Sequence, residues 1–191
     1  FDPPVAKDGF LATNSLAAFS LLLERAYSEQ TAGEPVESEL ATGLAQIDGF
    51  VERARAEAAP LWTRDTVLLL YTPELRAAAV DFESKFTEAG LIPVLLSDFR
   101  NFAHGRHQWL ARHAQSTGVL AMYSDESRAL AEATLRLLPA NVAVARLAIP
   151  RTFGPANRIG ALISVLHLVG DAGSARDLDP GRPHVPEFGR R

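Results

Sequence analysis

From Thr66 onward, short unbroken apolar runs alternate with stretches in which apolar residues recur at helical spacing. Thr66 to Tyr71 is such a run. Without polar alternation it reads as a strand buried on both faces of a parallel sheet. Leu91 to Leu96, Val119 to Tyr123 and Asn141 to Ile149 predict three more strands. After the first run, Thr72-Pro73-Glu74 opens a helix, with Thr72 at the N-cap and Pro73 at the first helical position. That helix runs to about Glu88 and ends at Gly90, a residue suited to a left-handed terminator. Ser124 is placed to cap the helix after the third strand, and Arg158 to Val169 predicts a closing helix. The alternation implies an α/β protein: a three-layer αβα arrangement around a parallel, flavodoxin-like sheet of four or five strands.

The flanks read differently. Leu11 to Tyr27 is apolar all round and predicts a buried helix. Ser28 to Ser38, with Gly33 and Pro35, reads as a linker. Glu39 to Ala59 carries Leu40, Leu44, Ile47 and Val51 at helical spacing, predicting one amphipathic helix that ends at Pro60. From Gly170 the periodicity stops. The expected layout is therefore a helix of a preceding domain (1–27), a linker (28–38), the main domain (39–169) and a C-terminal arm (170–191). The sole methionine is Met122 and the chain opens Phe1-Asp2-Pro3-Pro4. It reads as one part of a larger protein.

Composition narrows the function classes. At 191 residues and 47% hydrophobic, the chain can bury a sizeable core. A formal charge of −4 without a long run of one sign argues against a nucleic-acid partner. No apolar stretch has membrane-spanning length and no signal peptide is evident, so no membrane partner is expected and a cytoplasmic location is the default. Cysteine is absent, which excludes disulfides and thiolate metal sites. Positive charge comes from seventeen arginines and only two lysines, Lys7 and Lys85. Because the two side chains are not interchangeable, a retained lysine draws attention to chemistry.

Lys85 and Glu88 fall one turn apart on the predicted helix Val80-Asp81-Phe82-Glu83-Ser84-Lys85-Phe86-Thr87-Glu88. The ordinary reading of such a pair is a solvated salt bridge worth ~0.2–0.5 kcal/mol. The next strand is followed by Phe99-Arg100-Asn101-Phe102-Ala103-His104-Gly105. Gly105 suits a tight turn. Arg100 and Arg106 flank His104 and are of the type that binds a phosphate or carboxylate. His104, His107 and His113 lie near Asp98, but their spacing fits no standard zinc pattern, and neither metal nor cofactor is expected. Trp109 and Leu110 read as core anchors of a helix.

This stretch resembles the second sugar isomerase (SIS) domain of the glucosamine-6-phosphate synthase family. There a helix ends in Lys-x-x-Glu, and a His-Gly pair places its histidine sixteen positions after the glutamate; here 104 − 88 is sixteen. The resemblance implies an SIS fold, with Glu88 as catalytic glutamate, His104 as ring-opening histidine and Lys85 as the family lysine. Arg100, Asn101, Gly105 and Arg106 would then contact substrate. The closing helix and Arg176-Asp177-Leu178 resemble the family's final helix and arm, and the opening helix resembles the one that closes the family's first SIS domain. Asn101 stands where the family has a glutamate, Arg106 where it has a proline, and Pro180 where the arm has its lysine. The first-domain phosphate loop has no counterpart in this sequence.

The implied chemistry is aldose–ketose isomerisation of a phosphosugar through an enediol, or a related deglycase reaction. It needs a carboxylate base, and a histidine can protonate the ring oxygen. Lys85 could instead steady the enediolate. At a helix C-terminus the dipole opposes a negative charge on Glu88, while Lys85 favours it. The family's histidine serves the neighbouring subunit, so a homodimer or a pairing with a first SIS half is expected. The alternatives are a non-catalytic phosphosugar-binding regulatory module and a purely structural dimerisation domain.

Overall fold

A computed structural model describes residues 11–32 and 37–189. Four parallel strands, β1 (Thr66–Tyr71), β2 (Val94–Asp98), β3 (Thr117–Ser124) and β4 (Ala143–Ile149), form one sheet in the order β2-β1-β3-β4. The four predicted strands are these four. The helices are α1 (Asn14–Ala32), α2 (Glu37–Leu44), α3 (Ile47–Ala58), α4 (Arg76–Glu88), the single turn α5 (Phe99–Asn101), α6 (Gln108–His113), α7 (Arg128–Leu135) and α8 (Asn157–Ser174). The opening Phe1-Asp2-Pro3-Pro4, Lys7, Gly33 and Pro35 of the expected linker and the last two residues of the arm lie outside the described residues.

The unbroken apolar runs are explained by burial on both faces. All eight residues of β3 are buried, since it has a strand on each side and helices above and below. On one face Val67, Leu69, Leu120, Met122 and Leu147 pack with Phe50 of α3, Phe82 and Phe86 of α4 and Val165 of α8. On the other, Leu68, Leu70, Val119, Ala121 and Tyr123 pack with Phe99, Phe102, Leu110 and Ala131. These two cores make the expected αβα layers, with α3, α4 and α8 on one side and α5, α6 and α7 on the other.

Several boundaries differ from the sequence reading. β2 begins at Val94 rather than Leu91. Pro93 has no N–H for the ladder, and the Leu91 N–H instead donates to the Phe86 carbonyl, closing α4. The helix expected over 39–59 is two helices broken at Ala45-Gln46. Gly43 of α2 sits so close to the turn Arg151–Ala156 that a Cβ there would lie 2.5 Å from the Phe153 carbonyl oxygen. That docking pins α2, while α3 turns away onto α8. α1 runs to Ala32, across the expected linker boundary, and it is not buried: Phe19 and Tyr27 are 46% and 65% exposed. α8 reaches Ser174, so the arm starts later than expected. Its backbone folds back at once, Leu178 N–H donating to the Gly173 carbonyl at 2.9 Å. Gly173 permits this, since a Cβ there would meet the Leu178 oxygen at 2.6 Å.

Gly90 has φ +64°, the left-handed terminator expected of α4. Because α4 joins two adjacent parallel strands, it starts at their carboxyl ends and returns to their amino ends. This direction governs where the candidate residues fall.

Candidate functional site

Phe82 and Phe86 lie on the core face of α4, with ring centroids 4.2 Å apart. Lys85, next to Phe86, is drawn in with them and only 7% of its side chain is exposed. Its ammonium lies 3.7 Å from Asp81 Oδ1 and 3.7 Å from Glu88 Oε1. Glu88 is 39% exposed, and its Oε1 accepts a 2.7 Å hydrogen bond from the Ser84 hydroxyl. The Lys85–Glu88 pair is thus not the solvated bridge of the ordinary reading. A buried ammonium carries a large desolvation cost and needs compensating charge, and here two carboxylates one turn either side supply it.

Asp81 was missed in the sequence. Its Oδ2 is buried with no hydrogen-bond partner. Burial pushes its carboxyl above the usual range, helped by the Glu88 charge and opposed by Lys85. The available signal was the Asp81-Lys85-Glu88 spacing of four and three, which places all three on one stripe beside the phenylalanines. Asp81 and Ser84 also line a cavity of about 530 Å³ between α1, α4 and α8, together with Glu24, Tyr27 and Arg158.

At the other end of the sheet the connections reverse between β1 and β3, the crevice where open α/β sheets bind ligands. There Glu74 accepts hydrogen bonds from the hydroxyls of Thr72 (2.6 Å), Ser124 (2.7 Å) and Ser127 (3.3 Å). Burial pushes its carboxyl up, but the hydroxyl bonds outweigh that and hold it below the usual range. Thr72 and Ser124 occupy the expected cap positions, yet their side chains make no cap bond to the backbone, being turned to this carboxylate. A crevice organised around an anion differs from the hydroxyl-rich phosphate loop of the resembled family.

His104 lies in the single π turn Phe102–Arg106 that follows β2 and α5, and it is exposed. Gly105 has φ +138°, the turn geometry expected of it. Asn101 is engaged by Asp98, which accepts from its backbone N–H at 2.7 Å and its side-chain amide at 2.5 Å. The first of these bonds does most to hold the Asp98 carboxyl below the usual range. Arg100 is exposed at the turn surface. Arg106 points away from it, donating to the Leu96 carbonyl at 2.7 Å.

The other histidines go separate ways. His107 Nδ1 lies 3.0 Å from the Phe102 carbonyl oxygen, and His113 stacks on Trp109 with centroids 4.1 Å apart. No group of three or more histidine or acidic side chains is arranged to hold a metal among the described residues. Trp109 is 38% exposed, not a core residue, while Leu110 is buried as expected. The indole N–H of Trp109 donates to Thr117 Oγ1 at 2.9 Å.

The structure therefore brings Lys85 and Glu88 together with Asp81, and it sets His104 apart from them. Glu88 ends α4 at the amino ends of the strands, while His104 follows the carboxyl end of β2. α4 packs on one face of the sheet, and the Phe99–Leu110 stretch that carries His104 packs on the other.

No protein-family model matches the sequence, and no curated protein matches it. Solved structures do share its fold. A glucosamine-6-phosphate deaminase from Thermotoga maritima superposes with a TM-score of 0.66 at 16% identity, over 96% of this chain and 58% of its own. A candidate phosphosugar isomerase from Clostridium difficile 630 gives 0.68 at 12% identity, over 96% and 59%. Another from Salmonella typhimurium LT2 gives 0.61 at 16%, over 88% and 55%. The chain spans a little over half the length of these structures. At such identities the likeness concerns the fold alone, a parallel sheet between two layers of helices that these structures share.

Proposed function

We propose that this chain is part of a phosphosugar isomerase-like protein in which Glu88 moves a proton between adjacent sugar carbons. The observation that carries the reading is the buried Lys85 between Asp81 and Glu88. A solvent-facing salt bridge needs no such burial, whereas a proton-transfer carboxylate gains from fixed charge at its back. In the proposed cycle the Glu88 carboxylate takes the proton from the carbon next to the carbonyl of the open-chain sugar. The carbonyl oxygen gathers the charge as an enediolate and takes the proton of the adjacent hydroxyl, and Glu88 returns its own proton to the former carbonyl carbon, leaving the new carbonyl next to it. Lys85, 3.7 Å from Glu88 Oε1, places fixed positive charge beside it. Asp81 keeps Lys85 in place.

His104 is the proposed ring-opening group, donating a proton to the ring oxygen of the cyclic sugar. It lies across the sheet from the Glu88 of its own chain, so a second subunit of a dimer presents it. Arg100, Asn101 and Gly105 are proposed to approach substrate with it. The shared fold of the deaminase and the two candidate isomerases supports a phosphosugar ligand, and a cytoplasmic location fits that chemistry. A second reading, a non-catalytic phosphosugar-binding or dimerisation module, is favoured by Pro180 standing where the resembled family has its arm lysine. Solvent-deuterium exchange into fructose 6-phosphate or glucose 6-phosphate by the full-length protein separates the two: an isomerase exchanges the C1 or C2 proton, and a binding module does not.

A further inference from the structure

Arg106 ends the turn that carries His104, and its guanidinium reaches the edge of β2. With Arg112, His113, Gln108 and Trp109 it lines a cavity of about 500 Å³ along the open edge of β2, floored by Leu95. That volume is within the range of small-ligand pockets, about 300–1,000 Å³. No carboxylate lines it. Arg55, Arg128, Arg146 and Arg151 each meet an acidic side chain, but neither Arg106 nor Arg112 has one within ion-pair distance among the described residues. The Arg106 charge is felt by the Asp98 carboxylate, which is itself engaged by Asn101.

The lining is fixed as well as charged. The Arg106 guanidinium gives one nitrogen to the Leu96 carbonyl on the unpaired edge of β2, which orients the remaining donors. The Trp109 ring is held from both sides, by its N–H bond to the buried Thr117 and by stacking on His113. Two guanidiniums suit a phosphate group, which accepts paired N–H donors. The indole beside them offers a flat apolar surface of the kind that packs on the C–H face of a sugar ring.

We infer that this cavity is a second binding site, for a small phosphorylated sugar, distinct from the Lys85–Glu88 stripe on the opposite face of the sheet. Arg106 and Arg112 hold the phosphate and Trp109 covers the sugar. The site does not depend on Glu88 being a catalytic base.

The test follows Trp109 fluorescence in the full-length protein, with Trp109→Phe subtracted to remove Trp62. Glucose 6-phosphate is titrated, with glucose and inorganic phosphate as controls. The expected result is a saturable change with glucose 6-phosphate, at least several-fold weaker binding of inorganic phosphate and no response to glucose. The exposed pair Arg106→Gln/Arg112→Gln, checked for folding by circular dichroism, should bind roughly tenfold or more weakly. Glu88→Gln should titrate like the wild type. The inference is overturned by no saturable response, by equal binding of phosphate and glucose 6-phosphate, by an unchanged double variant, or by loss of the response in Glu88→Gln.

Discussion

Glu88 and His104 stand on opposite faces of the same sheet, one closing α4 and the other in the turn after β2. Sixteen residues of sequence thus separate groups that one chain cannot place on one sugar. If both act on the same substrate, each active site draws one of them from a neighbouring subunit.

That requirement predicts complementation. Glu88→Gln and His104→Asn should each be inactive alone. Mixed after subunit exchange, half the dimers would be hybrids with one intact site, restoring roughly a quarter of wild-type exchange activity. Absence of any recovery, with hybrids verified by native mass spectrometry, would refute the shared site.

Lys85→Met tests the buried charge. Removing the ammonium leaves the Asp81 and Glu88 carboxylates facing each other, with Asp81 largely out of water. The expected loss is about 2 kcal/mol in urea unfolding at pH 7, less than for a fully buried pair because Glu88 is hydrated. The loss has a pH sign. The Asp81 carboxyl is already raised, and without Lys85 it rises further, so folding favours its protonated form. The deficit should shrink as pH falls from 7 toward 4. A deficit that is constant or grows on acidification would contradict this.

Glu74→Gln tests the crevice between β1 and β3. The Glu74 carboxyl is held below its usual range, so its contribution is present above the unfolded value of about 4.3 and is lost as pH falls through the folded value. The amide keeps the shape but weakens the acceptor to Thr72, Ser124 and Ser127. Stability at pH 7 should fall by about 1 kcal/mol, and the two proteins should converge at the acid end. Parallel stability–pH curves would remove the effect from Glu74.

The sheet was legible because β1 and β3 are buried on both faces and so carry no polar alternation. The start of β2 was not, since Leu91 is as apolar as a strand residue and only Pro93 marks where the ladder can begin. The break at Ala45 was invisible because it depends on Gly43 meeting Phe153, over a hundred residues away. In the site, the Lys85–Glu88 pair could be read from its spacing. The burial of Lys85 and the part of Asp81 could not, since both follow from the packing of Phe82 and Phe86. Arg106 was placed beside His104 by adjacency alone, but Gly105 turns the backbone between them and the Leu96 carbonyl takes the guanidinium elsewhere.

The most direct measurement is deuterium exchange from solvent into fructose 6-phosphate and glucose 6-phosphate, followed by NMR with the full-length protein. The account predicts exchange at C1 or C2 with wild type and its loss in Glu88→Gln, while phosphosugar binding by calorimetry stays within a few-fold. Full exchange by Glu88→Gln would contradict Glu88 as the base, and no exchange by the wild type on either sugar would contradict the isomerase reading itself.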